Sequence, residues 1–102
     1  MKQFSFVLAF ALLPLLSKAQ TLTNSSPASA QAGRGLFLQN CAHCHGADAH
    51  GDEGPDLHKL DWTDEQITTR IRNGKKGQMT AFAGKLSADQ INEIEDYLRT
   101  LK

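Results

Sequence analysis

The stretch Cys41-Ala42-His43-Cys44-His45 decides how this chain is read. On a helical turn, positions i and i+3 face the same way, so the sulfurs of Cys41 and Cys44 point toward one partner. His45 follows directly and can turn its imidazole to the same place. Two thiols able to form thioethers with the vinyl edges of one porphyrin, followed by a nitrogen donor for its iron, make up the attachment pattern of a c-type haem. The chain has no other cysteine, so no disulfide framework competes for them. Two other uses of Cys-x-x-Cys stand beside this one. A thioredoxin-like redox pair needs a βαβ context, and no segment shows strand alternation. A structural zinc site needs four ligands, and Cys41, His43, Cys44 and His45 are too crowded to supply them all.

The N-terminus agrees with the motif. Residues 1–19 read as a secretory signal: Lys2 is the charged start, and Phe4 to Leu16 form an apolar run interrupted by Ser5 and Pro14. Ser17-Lys18-Ala19 offers small residues where a signal peptidase reads, which sets cleavage before Gln20. An uncleaved anchor is the competing reading. A helix over that run would span only ~20 Å, short of the ~30 Å hydrocarbon core, and Pro14 disfavours its continuity. Haem c is attached outside the cytoplasm, so a periplasmic location is expected, with no membrane span after cleavage.

What remains, Gln20 to Lys102, is 83 residues, enough for one small domain. A core of that size is marginal without a staple, and a buried porphyrin would be one. Residues 20–30, rich in Ser, Thr, Asn and Ala, read as a flexible leader, and 31–102 as the domain. Loss of Lys2 and Lys18 leaves nine basic against eleven acidic residues, a net charge near −2. That balance argues against a nucleic-acid partner, which favours a basic surface.

Three helices are marked. The first is expected from Ser29 to Asn40, with Pro27 just ahead of it. Gly33, Phe37 and Cys41 recur every four residues on one face. Gly33 in a helix interior costs about 1 kcal/mol relative to Ala, which implies a close backbone neighbour. A second helix starts at Thr63, which with Gln66 makes a capping box, and Trp62 and Ile67 stand where a hydrophobic staple would sit. Ile67 and Ile71 are its buried stripe and Asn73-Gly74 its stop. The last helix repeats the device with Ser87 and Gln90, stapled by Leu86 and Ile91. Its stripe is Ile91, Ile94, Leu98 and Leu101, with Tyr97 beside it. The domain reads as all-α.

An electron-transfer haem is usually six-coordinate, and Met79 is the one methionine left after the signal is removed. It lies on the Gly74 to Gly84 loop between two helices, which makes it the candidate for the second axial ligand. Its thioether favours ferrous iron and raises the potential relative to a second histidine. His43 reads as a spacer. His50 and His58, in the polar Gly46 to Lys59 loop, read as solvated, each an alternative ligand if Met79 were displaced. Pro55 either rigidifies its loop or offers its carbonyl to the Nδ1 proton of His45, which would fix the ring's tautomer.

With those residues in view, the region from about Gln31 to Lys102 resembles the class I c-type cytochromes, in particular the small bacterial periplasmic monohaem ones. The resemblance implies a small cytochrome c fold, three to four helices packed around one covalently attached haem. Gly33 and Phe37 on the first helix then cross Ile94 and Tyr97 on the last. Gly54-Pro55-Asp56-Leu57 is similar to the family's loop supplying the proline carbonyl, and Gly77-Gln78-Met79 with Phe82 to its methionine-ligand loop. Thr80 departs from the pattern: many relatives have proline directly after the ligand methionine, so this loop lacks that source of rigidity and a looser iron–sulfur bond is the expectation. Trp62 looks like an aromatic that in relatives approaches a haem propionate, a role that competes with the staple.

The resulting site set is Cys41 and Cys44 as thioethers, His45 and Met79 on iron, and Pro55 and Trp62 around them. With both axial positions filled, one-electron transfer is expected and enzymatic turnover is not. Lys75, Lys76 and Lys85 flank Met79 in sequence and would steer an acidic redox partner, such as a dehydrogenase, an oxidase or another cytochrome. A freely diffusing monomer is the leading expectation. A dedicated subunit of a dehydrogenase or oxidase, and a haem sensor or catalyst with an open axial site, are the alternatives.

Overall fold

The computed structural model describes residues 26–102, together with the isolated positions 9, 11 and 14. Apart from those three positions, the expected signal at 1–19 and the leader to residue 25 lie outside the described residues. Four helices follow in order: α1 (Pro27–Asn40), α2 (Ala42–His45), α3 (Asp64–Asn73) and α4 (Ala88–Leu98). Among the described residues there is no strand, only an antiparallel bridge between Lys75 and Met79. None of these helices is long and apolar enough to cross a membrane.

The end of the expected leader is corrected: Pro27–Ala30 are the first turn of α1. Ser26 is the N-cap, its hydroxyl accepting the Ser29 N–H at 3.0 Å. Pro27 sits at the first helical position, where its missing N–H would be unsatisfied anyway and its fixed φ already suits a helix. Pro27, expected just ahead of the helix, is its first residue.

α1 and α4 cross at Gly33. A Cβ there would lie 1.8 Å from the Glu93 carbonyl oxygen and 2.9 Å from the Ile94 nitrogen, so the helix backbones touch. The crossing is closed by Phe37 against Tyr97, ring centroids 5.3 Å apart and tilted by 54°. At its other side, Ser29 donates its hydroxyl to Asp96 Oδ2 at 2.5 Å. This partner accounts for the burial of a carboxylate that the apolar stripe of α4 does not foresee.

α3 and α4 begin with the expected capping boxes, Thr63 with Gln66 and Ser87 with Gln90, each with both hydrogen bonds present. Ile67 and Ile71 of α3 and Ile91, Ile94 and Leu98 of α4 form the core with Phe37, Phe82 and Leu86. Burying each of these side chains contributes roughly 1.5–3 kcal/mol. Leu86 and Ile91 are buried together, as a staple requires. Trp62 is 41% exposed instead, with the Arg70 guanidinium 5.4 Å from its ring centroid. Arg99 ties the end of α4 to the start of α3. It donates to Asp64 Oδ1 at 2.6 Å, to Glu95 Oε1 at 3.1 Å and to the carbonyls of Leu60 and Trp62.

Candidate cofactor site

Cys41 is the joint between two helices: it ends α1 and caps α2, a single turn carrying the rest of the motif. The Cys44 and His45 N–H groups both donate to the Cys41 carbonyl, at 3.2 and 3.0 Å. That turn sets the two sulfurs on one side, as the spacing requires. Neither sulfur is in a disulfide; Cys41 is buried and Cys44 half-buried. Burial, with Cys44 adding to it, pushes the Cys41 thiol up to about 11.

His45 is held from three directions. Its Nδ1 lies 2.9 Å from the Pro55 carbonyl oxygen. A carbonyl only accepts, so the proton sits on Nδ1 and the lone pair on Nε2 is left for a metal. Gly54 backs the ring so closely that a Cβ there would meet its Nδ1 and Cε1 at 2.9 Å. The loop carrying both is laced to the motif: Gly54 N–H donates to the Cys44 carbonyl at 2.7 Å, and Gly51 N–H to that of His45 at 2.8 Å.

Met79 packs, half-buried, against the same core cluster that includes Cys41. Its loop is tied at its own base. Lys75 and Met79 exchange two backbone hydrogen bonds, at 2.9 and 2.8 Å, around Gly77, whose φ of 73° only glycine adopts cheaply. Gly74 admits the returning chain; a Cβ there would lie 2.4 Å from the Met79 carbonyl oxygen. Beyond Thr80, Phe82 N–H donates to the Ile71 carbonyl at 3.0 Å and Ala83 N–H to that of Arg72 at 3.1 Å. The stiffness that proline would lend after the methionine comes here from hydrogen bonds.

These residues fit a haem: two unpaired sulfurs one turn apart, a histidine oriented with Nε2 unprotonated, and a thioether on a braced loop at the edge of the same core. Trp62 borders a shallow groove along α3 with Arg70 and Gly74. His43 is exposed, as a spacer would be. His58 is not simply solvated: its side chain is 15% exposed and it stacks on His50. The sequence reading missed this grouping, although the spacing of His50, Asp56 and His58 was there to be seen.

The sequence profile of the cbb3-type cytochrome c oxidase subunit III family matches residues 28–98. The chain is 35% identical over 88 residues to the cbb3-type cytochrome c oxidase subunit FixPc of Rhizobium leguminosarum bv. viciae, covering 79% of this chain and 31% of that one. It is also 35% identical over 81 residues to the subunit CcoP of Rubrivivax gelatinosus, covering 74% and 27%. It therefore spans less than a third of the length of these relatives. Among solved structures, cytochrome cL of Methylophaga aminisulfidivorans superposes with a TM-score of 0.70 at 28% identity, covering 78% of this chain and 57% of that one. Cytochrome c6 of the diatom Phaeodactylum tricornutum gives 0.61 at 32% identity, covering 70% and 91%. The fold is that of the class I c-type cytochromes. The chain belongs to the family of cytochrome c domains typified by cbb3 oxidase subunit III, and its cofactor is a covalently bound haem c with its iron.

Proposed function

We propose that this chain carries single electrons through a haem held by Cys41 and Cys44 as thioethers and by His45 and Met79 as axial ligands. The observation that carries this reading is the 2.9 Å contact from His45 Nδ1 to the Pro55 carbonyl oxygen. It fixes the tautomer, orients the ring and strengthens Nε2 as a donor. When bound, the haem supplies a ferric–ferrous couple. The protein's part is to keep both ligands still: His45 by Pro55 and Gly54, and Met79 by the Lys75 bridge. With little to rearrange on reduction and no position open to substrate, electron carriage rather than enzymatic turnover follows. Met79, a neutral soft donor, biases the couple toward ferrous iron.

Around the site, Trp62 and the Arg70 guanidinium beside it suit a haem propionate, the arginine by its charge. Lys75, Lys76 and Lys85 are exposed and suit the approach of an acidic redox protein. Export through cleavage of residues 1–19, with the mature chain acting in the periplasm, completes the reading. Mass spectrometry of protein recovered from the periplasm tests it, with an N-terminus at Gln20 expected.

The test of the site is an absorption spectrum of protein matured with a haem c attachment system. A c-type reduced spectrum, with the weak far-red sulfur-to-iron band in the oxidised form, is expected. Loss of that band in Met79→Ala, with new binding of carbon monoxide, assigns it to this residue. Haem without the band in the parent protein overturns Met79 and favours an open or bis-histidine site. One finding favours a second reading of the partner: the family match is to subunits of an oxidase complex. Stoichiometric copurification with an oxidase supports a dedicated subunit, and a free monomer in the periplasmic fraction supports a diffusing carrier.

A further inference from the structure

Outside the haem site, one group of side chains has the makings of a second metal centre. His50 and His58 stack face to face, ring centroids 3.7 Å apart and planes 5° from parallel. The carboxylate of Asp56 serves both: His58 Nδ1 lies 2.9 Å from Oδ1 and His50 Nδ1 3.5 Å from Oδ2. One donor atom from each of the three residues falls within 4.8 Å of the others.

The backbone brings these donors together. Leu57 N–H donates to the Ala49 carbonyl at 2.8 Å, which lays residues 49–50 beside 57–58. Asp48 Oδ1 accepts the His50 N–H at 3.0 Å, and Asp56 Oδ1 the His58 N–H at 2.8 Å. His58 Nδ1 is also 3.3 Å from the Ala49 carbonyl, and its side chain is largely covered. Three segments of one loop thus converge, one arm firmly seated and one free to adjust.

We propose that His50, Asp56 and His58 bind a divalent first-row transition-metal ion, of the zinc and copper(II) class, on the loop beside the haem-attachment turn. Around a tetrahedral ion with bonds of about 2 Å, neighbouring ligand atoms lie roughly 3.4 Å apart. The nitrogen–oxygen separations, 2.9 Å from His58 Nδ1 to Asp56 Oδ1 and 3.5 Å from His50 Nδ1 to Oδ2, each lie near that value, with one oxygen of the carboxylate facing each ring. Parallel rings cannot both aim a lone pair at one ion, so binding requires one to swing out of the stack, and His50, whose side chain is 60% exposed, is free to do so. Two nitrogens and one carboxylate oxygen select zinc, copper or nickel over calcium and magnesium, which want oxygen donors. Water supplies the remaining position on such an ion. The centre uses none of the iron ligands and stands whether or not the haem assignment holds in detail.

The test is calorimetric titration of the haem-loaded protein with zinc ions. A single saturable site is expected, at least about tenfold weaker in His50→Gln and lost in the His50→Gln/His58→Gln double variant. His43→Gln, which removes an exposed histidine outside the cluster, should leave it unchanged. An unaltered haem spectrum establishes that each variant is folded, and His50→Gln, at the exposed arm, is the one least able to disturb the fold. Absence of one-site binding up to about 1 mM zinc overturns the proposal, as does equal affinity in the double variant. Copper(II) paramagnetic resonance on the His43→Gln protein gives a readout free of cluster mutations. Coordination by two imidazole nitrogens supports the centre; one or none removes it.

Discussion

The α-carbon of Gly33 rests against the carbonyl oxygen of Glu93, with room for a hydrogen and none for a methyl group. Gly33→Ala gains helix propensity yet must push α1 off α4, taking Phe37 away from Tyr97. We expect a net loss of about 1–3 kcal/mol. Gly35, two residues on, has nothing within reach of an added Cβ. Gly35→Ala should therefore stabilise the same helix by up to ~1 kcal/mol. Denaturant midpoints of the two haem-loaded variants should move in opposite directions; a common direction would refute the close-crossing argument.

Gly54→Ala probes the seat of the histidine. The added methyl meets His45 Nδ1 and Cε1, so the ring must turn away from the Pro55 carbonyl. Loss of roughly 1–3 kcal/mol in stability is expected, together with a raised reduction potential, because the imidazole becomes the poorer donor and stabilises ferric iron less. Voltammetry beside thermal melts reads both. An unchanged potential would mean that the hydrogen bond contributes packing alone.

Glu95 makes stability depend on pH. Its burial, and then Asp64 facing it, raise it from 4.5 to about 7, while the contacts to Glu95 and Arg99 lower Asp64. The folded state holds the Glu95 proton more tightly than the unfolded chain does. Its contribution is thus full below pH 4.5 and is lost as the pH rises through about 7. Glu95→Gln, which keeps the shape and cannot ionise, should flatten that decline. Unfolding midpoints of parent and variant on either side of this window check it, and parallel curves would count against the assignment.

Arg99→Lys tests the bracket between α3 and α4. A lysine cannot reach Asp64, Glu95 and two carbonyls at once, because its ammonium is a single point rather than a planar fork. About 1 kcal/mol of destabilisation is expected, with the start of α3 exchanging its amide protons faster. Unaltered exchange there would mean that the capping box alone holds that end.

The devices that could be read along the chain are those that act locally. Thr63 with Gln66 and Ser87 with Gln90 each complete their hydrogen bonds within four residues, so the starts of α3 and α4 were legible. The haem motif and the proline carbonyl loop were legible for the same reason. What stayed hidden depends on partners far apart in sequence. Asp96 is buried because Ser29 meets it, and Glu95 because Asp64 and Arg99 do. Trp62 had two readings, staple or propionate contact, and its exposed ring beside Arg70 is not that of a buried staple. Thr80 suggested a loose loop only because the Lys75–Met79 bridge has no signature in residue type.

The crossing of α1 and α4 also bears on where such a domain can be used. Ser29 near the start of α1 meets Asp96 near the end of α4, so the polypeptide comes in and goes out beside one joint. A unit whose two ends are neighbours can be spliced onto another protein, or between two segments of one, without pulling its own structure apart. The same seventy-odd residues can thus serve alone or as one module of a larger machine, with the joint between the helices working as the clasp.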